Sequence, residues 1–176
     1  EYNEHDPFVG KAILQKHGRQ FLLVNPPARP LTTAEMDEVA ELPYVREPHP
    51  MYDEMGGVPA IEEVRFSVTH NRGCFGACNF CSLAFHQGRV ISCRSHQSVI
   101  REVKALTEPP GFKGYIHDVG GPSATFRRPS CQKQLKHGMC KNRACLAPEA
   151  CPNLDADHTD YMMLLRKLRE IPKVKK

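Results

Sequence analysis

Three cysteines stand within eight residues, in the run Cys74-Phe75-Gly76-Ala77-Cys78-Asn79-Phe80-Cys81. The spacing C-x3-C-x2-C lets three thiolates converge on one small object. Gly73 and Gly76 would supply the backbone freedom that such a wrap needs. A structural zinc ion takes four ligands. The nearest further cysteine is Cys93, which reads as a buried small side chain in preference to a ligand. A four-iron cluster held by three thiolates leaves one iron open to an outside ligand, and three thiols without a fourth suit that arrangement.

A second set is Cys131, Cys140, Cys145 and Cys151, spaced C-x8-C-x4-C-x5-C. It matches neither a ferredoxin run nor a common zinc ribbon. Metal binding could still supply folding energy to a stretch poor in periodicity. Zinc, an auxiliary iron–sulfur cluster and plain reduced cysteines all remain open for it. Around the first loop, His86 and Arg89 could meet substrate or cofactor, or bond loop to helix. His117 and Asp118 fall near a strand end, where Asp118 could contact a ligand or hold a turn. His158 with Asp155 and Asp157 reads as a helix-capping cluster. Arg127, Arg128 and the tail Lys173-Val174-Lys175-Lys176 read as solvated surface.

The elements that must hold these residues follow from pattern. Eight of the 15 prolines lie in residues 1–60, which read as a Pro-rich helical N-terminal segment. There, Asp6-Pro7 opens a predicted helix through Phe8, Val9, Ala12 and Ile13 that Gly18 stops. Gln20–Asn25 reads as a strand. Thr32 and Glu35 form a capping box ahead of Met36, Val39 and Leu42. Residues 43–60 read as linker. Residues 61–126 then give a strand at Val64–Thr69, the cysteine loop, a helix from Ser95 through Leu106, and a strand at Gly114–Val119. That order is a βαβ unit with parallel strands. Residues 127–158 form a Cys-rich insertion. Residues 159–176 give a last helix and a basic tail.

Composition narrows the class. The 176 residues carry a net charge of +4, with 24 basic and 20 acidic side chains. Apolar residues are 40% and charged ones 25%, which excludes a wholly disordered or collagen-like chain. No apolar run approaches the roughly 20 residues of a membrane span, so no membrane partner is expected. The charge permits nucleic-acid contact without arguing for it. The chain opens on Glu1 with no signal segment. The eight cysteines are therefore expected to be intracellular thiols of a cytoplasmic protein, where dense cysteine means metal or redox chemistry.

The cysteine spacing resembles the signature of the radical S-adenosylmethionine superfamily. Further stretches narrow the likeness to its YgiQ-type family, whose reaction is unassigned. They include Asn25-Pro26-Pro27, Leu42-Pro43-Tyr44, His49-Pro50, Arg72-Gly73-Cys74-Phe75-Gly76, His86-Gln87-Gly88-Arg89, Phe112-Lys113-Gly114, Asp118-Val119-Gly120-Gly121-Pro122 and Cys151-Pro152-Asn153-Leu154. The resemblance implies a [4Fe–4S] cluster on Cys74, Cys78 and Cys81 and S-adenosylmethionine on its open iron. It implies cleavage to a 5′-deoxyadenosyl radical, an unknown substrate and a low-potential electron donor. Phe80 fills the place of an aromatic residue near the adenine. Gly120-Gly121 fills that of a glycine turn near the methionyl amino group, although Pro122 replaces the usual acidic residue. The implied fold is α/β, a truncated partial (βα) barrel of the TIM type. A full barrel takes about 250 residues and only two strand–helix units are read, so the chain is expected to be a truncated chain or fragment, able to bind a cluster while later strands normally complete the site for turnover. The competing expectation is a zinc-stapled, non-catalytic nucleic-acid-binding module. A degenerate relative that keeps the cluster and has lost its chemistry is a third.

Overall fold

The computed structural model describes residues 3–122 and 125–176. Its N-terminal part begins with an antiparallel hairpin, β1 (Ile13–His17) against β2 (Gln20–Val24), in register from Ile13 opposite Val24 to His17 opposite Gln20. The helix expected after Asp6-Pro7 is thus replaced by a turn and a strand. Asp6 does accept from the backbone N–H of Phe8 at 2.8 Å and of Val9 at 3.2 Å. It satisfies them in an Asx turn that goes no further. Ile13–His17 then finds a strand partner across the tight turn at Gly18-Arg19. Helix α1 (Thr33–Ala40) follows. Thr32 accepts from the N–H of Glu35 at 3.3 Å, and the Glu35 carboxylate accepts from the N–H of Thr32 at 2.7 Å. That reciprocal pair is the expected capping box. The linker contains one 3-10 turn at Pro50–Met55.

The second part carries α2 (Ile61–Val64), β3 (Ser67–Thr69), β4 (Asn71–Arg72), α3 (Leu83–His86), β5 (Ser92–Cys93), α4 (His96–Leu106) and β6 (Asp118–Gly120). Strand β3 pairs with β6 in parallel, Ser67 opposite Asp118 and Thr69 opposite Gly120. Helix α4 lies between them in sequence, so the βαβ reading holds in shorter strands. Ser95 caps α4 by accepting from the N–H of Ser98 at 3.1 Å. Short strands β4 and β5 pair antiparallel. Helices α5 (Gln132–His137) and α6 (Thr159–Arg169) complete the chain. Among the described residues the strands form three two-stranded sheets, and no helix is long and apolar enough to cross a membrane.

Two apolar clusters organise this part. The larger joins Val68 of β3, Val99, Val103 and Leu106 of α4, and Leu164 and Leu168 of α6, with Ile171 beyond. Each such side chain taken fully out of water contributes about 1.5–3 kcal/mol. The alternation of Val68 with polar neighbours and the helical spacing on α4 and α6 place these residues on facing surfaces. The smaller cluster joins Phe75, Ile91 and Met139, with Cys93, Phe126, Cys145 and Leu154 against it. It ties the first cysteine loop to the segment carrying the second cysteine set.

Candidate metal centre

The cysteine loop leaves the sheet just past the C-terminal end of β3. Gly120-Gly121 lies at the same end of β6, and the N–H of His70 donates to the Gly120 carbonyl at 2.8 Å across the pair. Loop and glycine turn therefore share the carboxyl edge of two parallel strands, where α/β folds place ligands.

Local contacts shape the loop. Gly73 has φ +85°, and a Cβ there would stand 2.1 Å from the Val90 carbonyl oxygen. No larger residue fits. The N–H of Cys74 donates to the Gly88 carbonyl at 3.0 Å, and that of Cys81 to the Cys78 carbonyl at 3.0 Å. Phe75 is buried and stacks on Phe126 with ring centroids 4.1 Å apart. This anchors the loop between the first two thiols. The second left-handed residue of the wrap is Ala77, at φ +52°, in place of the expected Gly76. Gly76 serves by its size. A Cβ there would meet the Cys74 sulfur at 3.3 Å and the Cys78 sulfur at 3.6 Å. Its N–H donates to the Cys74 sulfur at 3.4 Å.

All eight cysteines are free. Burial pushes the Cys74 thiol up, against the pull of the Gly76 N–H, and neighbouring Cys78 and Cys81 push it further the same way. The three sulfurs thus feel one another. Cys78 is exposed, and a cavity of about 290 Å³ opens on Cys78, Cys81, Phe85 and Ala144. Among the described residues no three His, Cys, Asp or Glu side chains close on a single-ion position. The donor set suits a cluster: three soft thiol donors in one loop, a glycine cradle against two of the sulfurs, and an N–H aimed at one of them.

The other expected residues divide. Phe80 is 93% exposed at the loop tip. Asp118 reaches along β6, its carboxylate oxygen 2.0 Å from where a Gly120 Cβ would be. His117 turns away: it faces the Glu63 carbonyl at 3.3 Å and packs edge-on to Phe66. His86 is exposed at the end of α3. Arg89 is buried, and its guanidinium donates to the Cys140 carbonyl at 3.4 Å. Cys93 is pushed up to about 11 by burial, which keeps it a protonated thiol. In the capping cluster the working residue is Asp157, which accepts from the N–H of Thr159 at 2.9 Å. His158 stacks on Phe126 instead.

Arg127 overturns the surface expectation. Its side chain is 5% exposed and pairs with Asp160 at 2.5 Å, while Arg128 remains half exposed. Arg127 also donates to His70 Nδ1 at 3.1 Å and to the Arg94 carbonyl at 2.8 Å. The lysines of the basic tail are exposed, as expected, while its backbone is docked: Lys175 N–H donates to the Gly114 carbonyl at 2.7 Å. Sequence reasoning missed two further residues at the strand edge. Asn71 is buried, and both polar atoms of its amide lack a protein partner. Its oxygen lies 2.0 Å from where a Gly121 Cβ would be. Nothing in the local pattern marks this residue.

His70 is the other. Burial and then the Arg127 guanidinium push its imidazole down from 6.5 to about 4. The unfolded chain therefore binds a proton between these values that the folded chain refuses. The neutral ring's contribution is complete above pH 6.5 and is lost as pH falls toward 4. The loss is on the order of 3 kcal/mol. Urea unfolding across this range should show that acid loss, and the His70→Gln variant should show a shallower one. Equal slopes would refute the assignment.

Residues 1–67 match the family model described as radical SAM N-terminal. Along all of its 176 residues the chain is 55% identical to a UPF0313 protein of Clostridium botulinum strain Okra, of which it covers 27%. It is 54% identical over its full length to the UPF0313 protein CLJ_B0249 of C. botulinum strain 657, covering 28% of it. It is 46% identical over its full length to a UPF0313 protein of Clostridium perfringens strain ATCC 13124, covering 27% of it. The chain thus spans about a quarter of the length of these curated relatives. With its residues 1–67 matched to the radical SAM N-terminal model and its whole length similar to UPF0313 proteins, the chain fits an uncharacterised radical SAM family.

Proposed function

We propose that the whole protein is a radical S-adenosylmethionine enzyme, in which Cys74, Cys78 and Cys81 hold a [4Fe–4S] cluster. The observation that carries the reading is the C-x3-C-x2-C loop on the carboxyl edge of the β3–β6 pair, beside Gly120-Gly121. When bound, the cluster supplies a low-potential electron and an open iron for S-adenosylmethionine, whose cleavage yields a hydrogen-abstracting 5′-deoxyadenosyl radical. In this reading β3 and β6 are the opening strands of a partial barrel.

The chain's own residues have distinct tasks. The Gly76 N–H stabilises thiolate character on Cys74, as hydrogen bonds to cluster sulfurs do. The Gly120-Gly121 backbone and the unpartnered Asn71 amide packed against Gly121 offer polar groups to the amino-acid end of the cofactor. Asp118, its carboxylate lying over Gly120, takes the ammonium-facing role that Pro122 cannot fill. The exposed Phe80 ring is free to stack on the adenine.

The test is anaerobic reconstitution of the full-length protein with iron and sulfide, then dithionite and S-adenosylmethionine. Formation of 5′-deoxyadenosine is expected; its absence with a loaded cluster would refute the enzyme. Asp118→Asn removes one charge-assisted contact. It should weaken S-adenosylmethionine binding by about tenfold, near 1.4 kcal/mol, and leave the iron content unchanged. An unchanged affinity would take the ammonium away from Asp118.

A further inference from the structure

We propose that Cys131, Cys140, Cys145 and Cys151 hold a second iron–sulfur cluster next to the first loop. These four side chains, far apart in sequence for a cluster motif, line one cavity with Met139 and Leu154. The fold brings them there by specific contacts. The N–H of Cys151 donates to the Cys145 carbonyl at 2.9 Å, and the N–H of Asp155 to the Ser130 carbonyl at 2.7 Å. Gln134 ties the segment to the first loop's flank by donating to the Arg89 carbonyl at 3.0 Å. Cys131, Cys145 and Cys151 are half-buried, and Cys140 is exposed.

Three observations favour a cluster. First, the thiols surround a volume and do not close on a point. No three of the four meet at a single-ion position, and the Cys74, Cys78 and Cys81 loop shows the same spread. A zinc ion draws its sulfurs to about 2.3 Å from one centre, whereas a cube distributes them over separate irons. Second, positive charge is placed to offset a thiolate-rich centre. Lys133 and Arg143 line the cavity, and the buried Arg89 guanidinium reaches the set by donating to the Cys140 carbonyl at 3.4 Å. Third, residues 138–158 contain no helix or strand, so their order needs a source other than backbone ladders. Metal binding supplies that free energy.

The two centres would be neighbours. Ala144 lines both cavities, and Phe75 of the first loop shares an apolar cluster with Met139 and Cys145 of the second.

The test counts metal in the full-length protein after anaerobic reconstitution with ferrous iron and sulfide. Each cubane cluster carries about four irons. Replacing Cys131, Cys140, Cys145 and Cys151 together with serine should remove about four irons per chain and leave those of the first loop. Serine at Cys74, Cys78 and Cys81 should remove a separate set of about four. Failure of the second variant alone would refute the first cluster and leave this proposal standing. The wild-type count guards against a variant that does not fold: a total below about four irons, or a total of about four that serine at Cys74, Cys78 and Cys81 removes, overturns the proposal by itself. So does zinc, one per chain, that disappears in the four-serine variant while iron is unchanged. The exposed Cys140, changed to serine alone, should alter the electron paramagnetic resonance signal of the second cluster, and an unaltered spectrum also counts against it.

Discussion

Cys78→Ala in the full-length protein is expected to abolish the iron bound at the first loop and with it 5′-deoxyadenosine formation. The side chain is exposed, so its removal forfeits little packing. It is one of only three thiols in the loop. With one gone, the cube loses a protein ligand that Cys93 is not placed to replace. Cys93 faces the Phe126 carbonyl at 3.9 Å and is held protonated by its burial. Loss of a group that hydrogen-bonds a metal's ligand already costs about 10–100-fold, and removal of a ligand should exceed that range. Iron and sulfide analysis together with product detection give the readout. Because the Cys78 side chain is exposed, thermal unfolding of the metal-free variant should match that of the metal-free parent. Cluster retention at parental levels would remove Cys78 from the ligand set.

Gly73→Ala should be the most damaging single-methyl change in the loop. The added carbon would stand 2.1 Å from the Val90 carbonyl oxygen and 2.9 Å from its carbonyl carbon. Both are backbone atoms, and Val90 is itself buried. Neither side can yield without moving the turn that carries Cys74, whose N–H bonds to Gly88 two residues earlier. Forced insertion of this kind costs about 1–3 kcal/mol. The left-handed backbone at φ +85° adds about 1–2 kcal/mol. Gly88→Ala is the control: φ is +87°, yet nothing lies within 4 Å of the added carbon. It should show the backbone strain alone. Denaturant midpoints should fall further for Gly73→Ala than for Gly88→Ala, with lower iron occupancy. Equal effects would mean that the close approach to Val90 does not fix the loop.

The sequence spelled out local features and left tertiary ones hidden. Thr32 with Glu35, and Ser95 before Val99 and Val103, are short-range capping signals, and the structure obeys them. The parallel pairing of β3 and β6 was legible as strand, helix and strand. Asp6-Pro7 misled because one carboxylate can satisfy the same N–H groups in a turn as at a helix start. The strand partner that decided between them lies across Gly18-Arg19. Arg127 and Arg128 are chemically identical neighbours; partners distant in sequence, Asp160 on a helix 33 positions later together with His70 and the Arg94 carbonyl, determine which is buried. Asp118 gains its place from the β3–β6 register and Asn71 from the β4–β5 pairing, where it lies opposite Cys93, and no local spacing encodes either. The three cysteines of the first loop needed no such help, since all their separations are local. The second set depends on long-range folding, and its gathering around one cavity became visible only in three dimensions.

The central claim is that the trio of sulfurs leaves an iron free for S-adenosylmethionine. The most direct measurement is the electron paramagnetic resonance spectrum of the reduced full-length protein bearing serine at Cys131, Cys140, Cys145 and Cys151. It is recorded before and after adding S-adenosylmethionine. The account predicts a reduced cubane signal that changes its g-values when the cofactor is added. A cubane signal that the cofactor leaves untouched, or no cubane signal in a protein with Cys74, Cys78 and Cys81 intact, would contradict it.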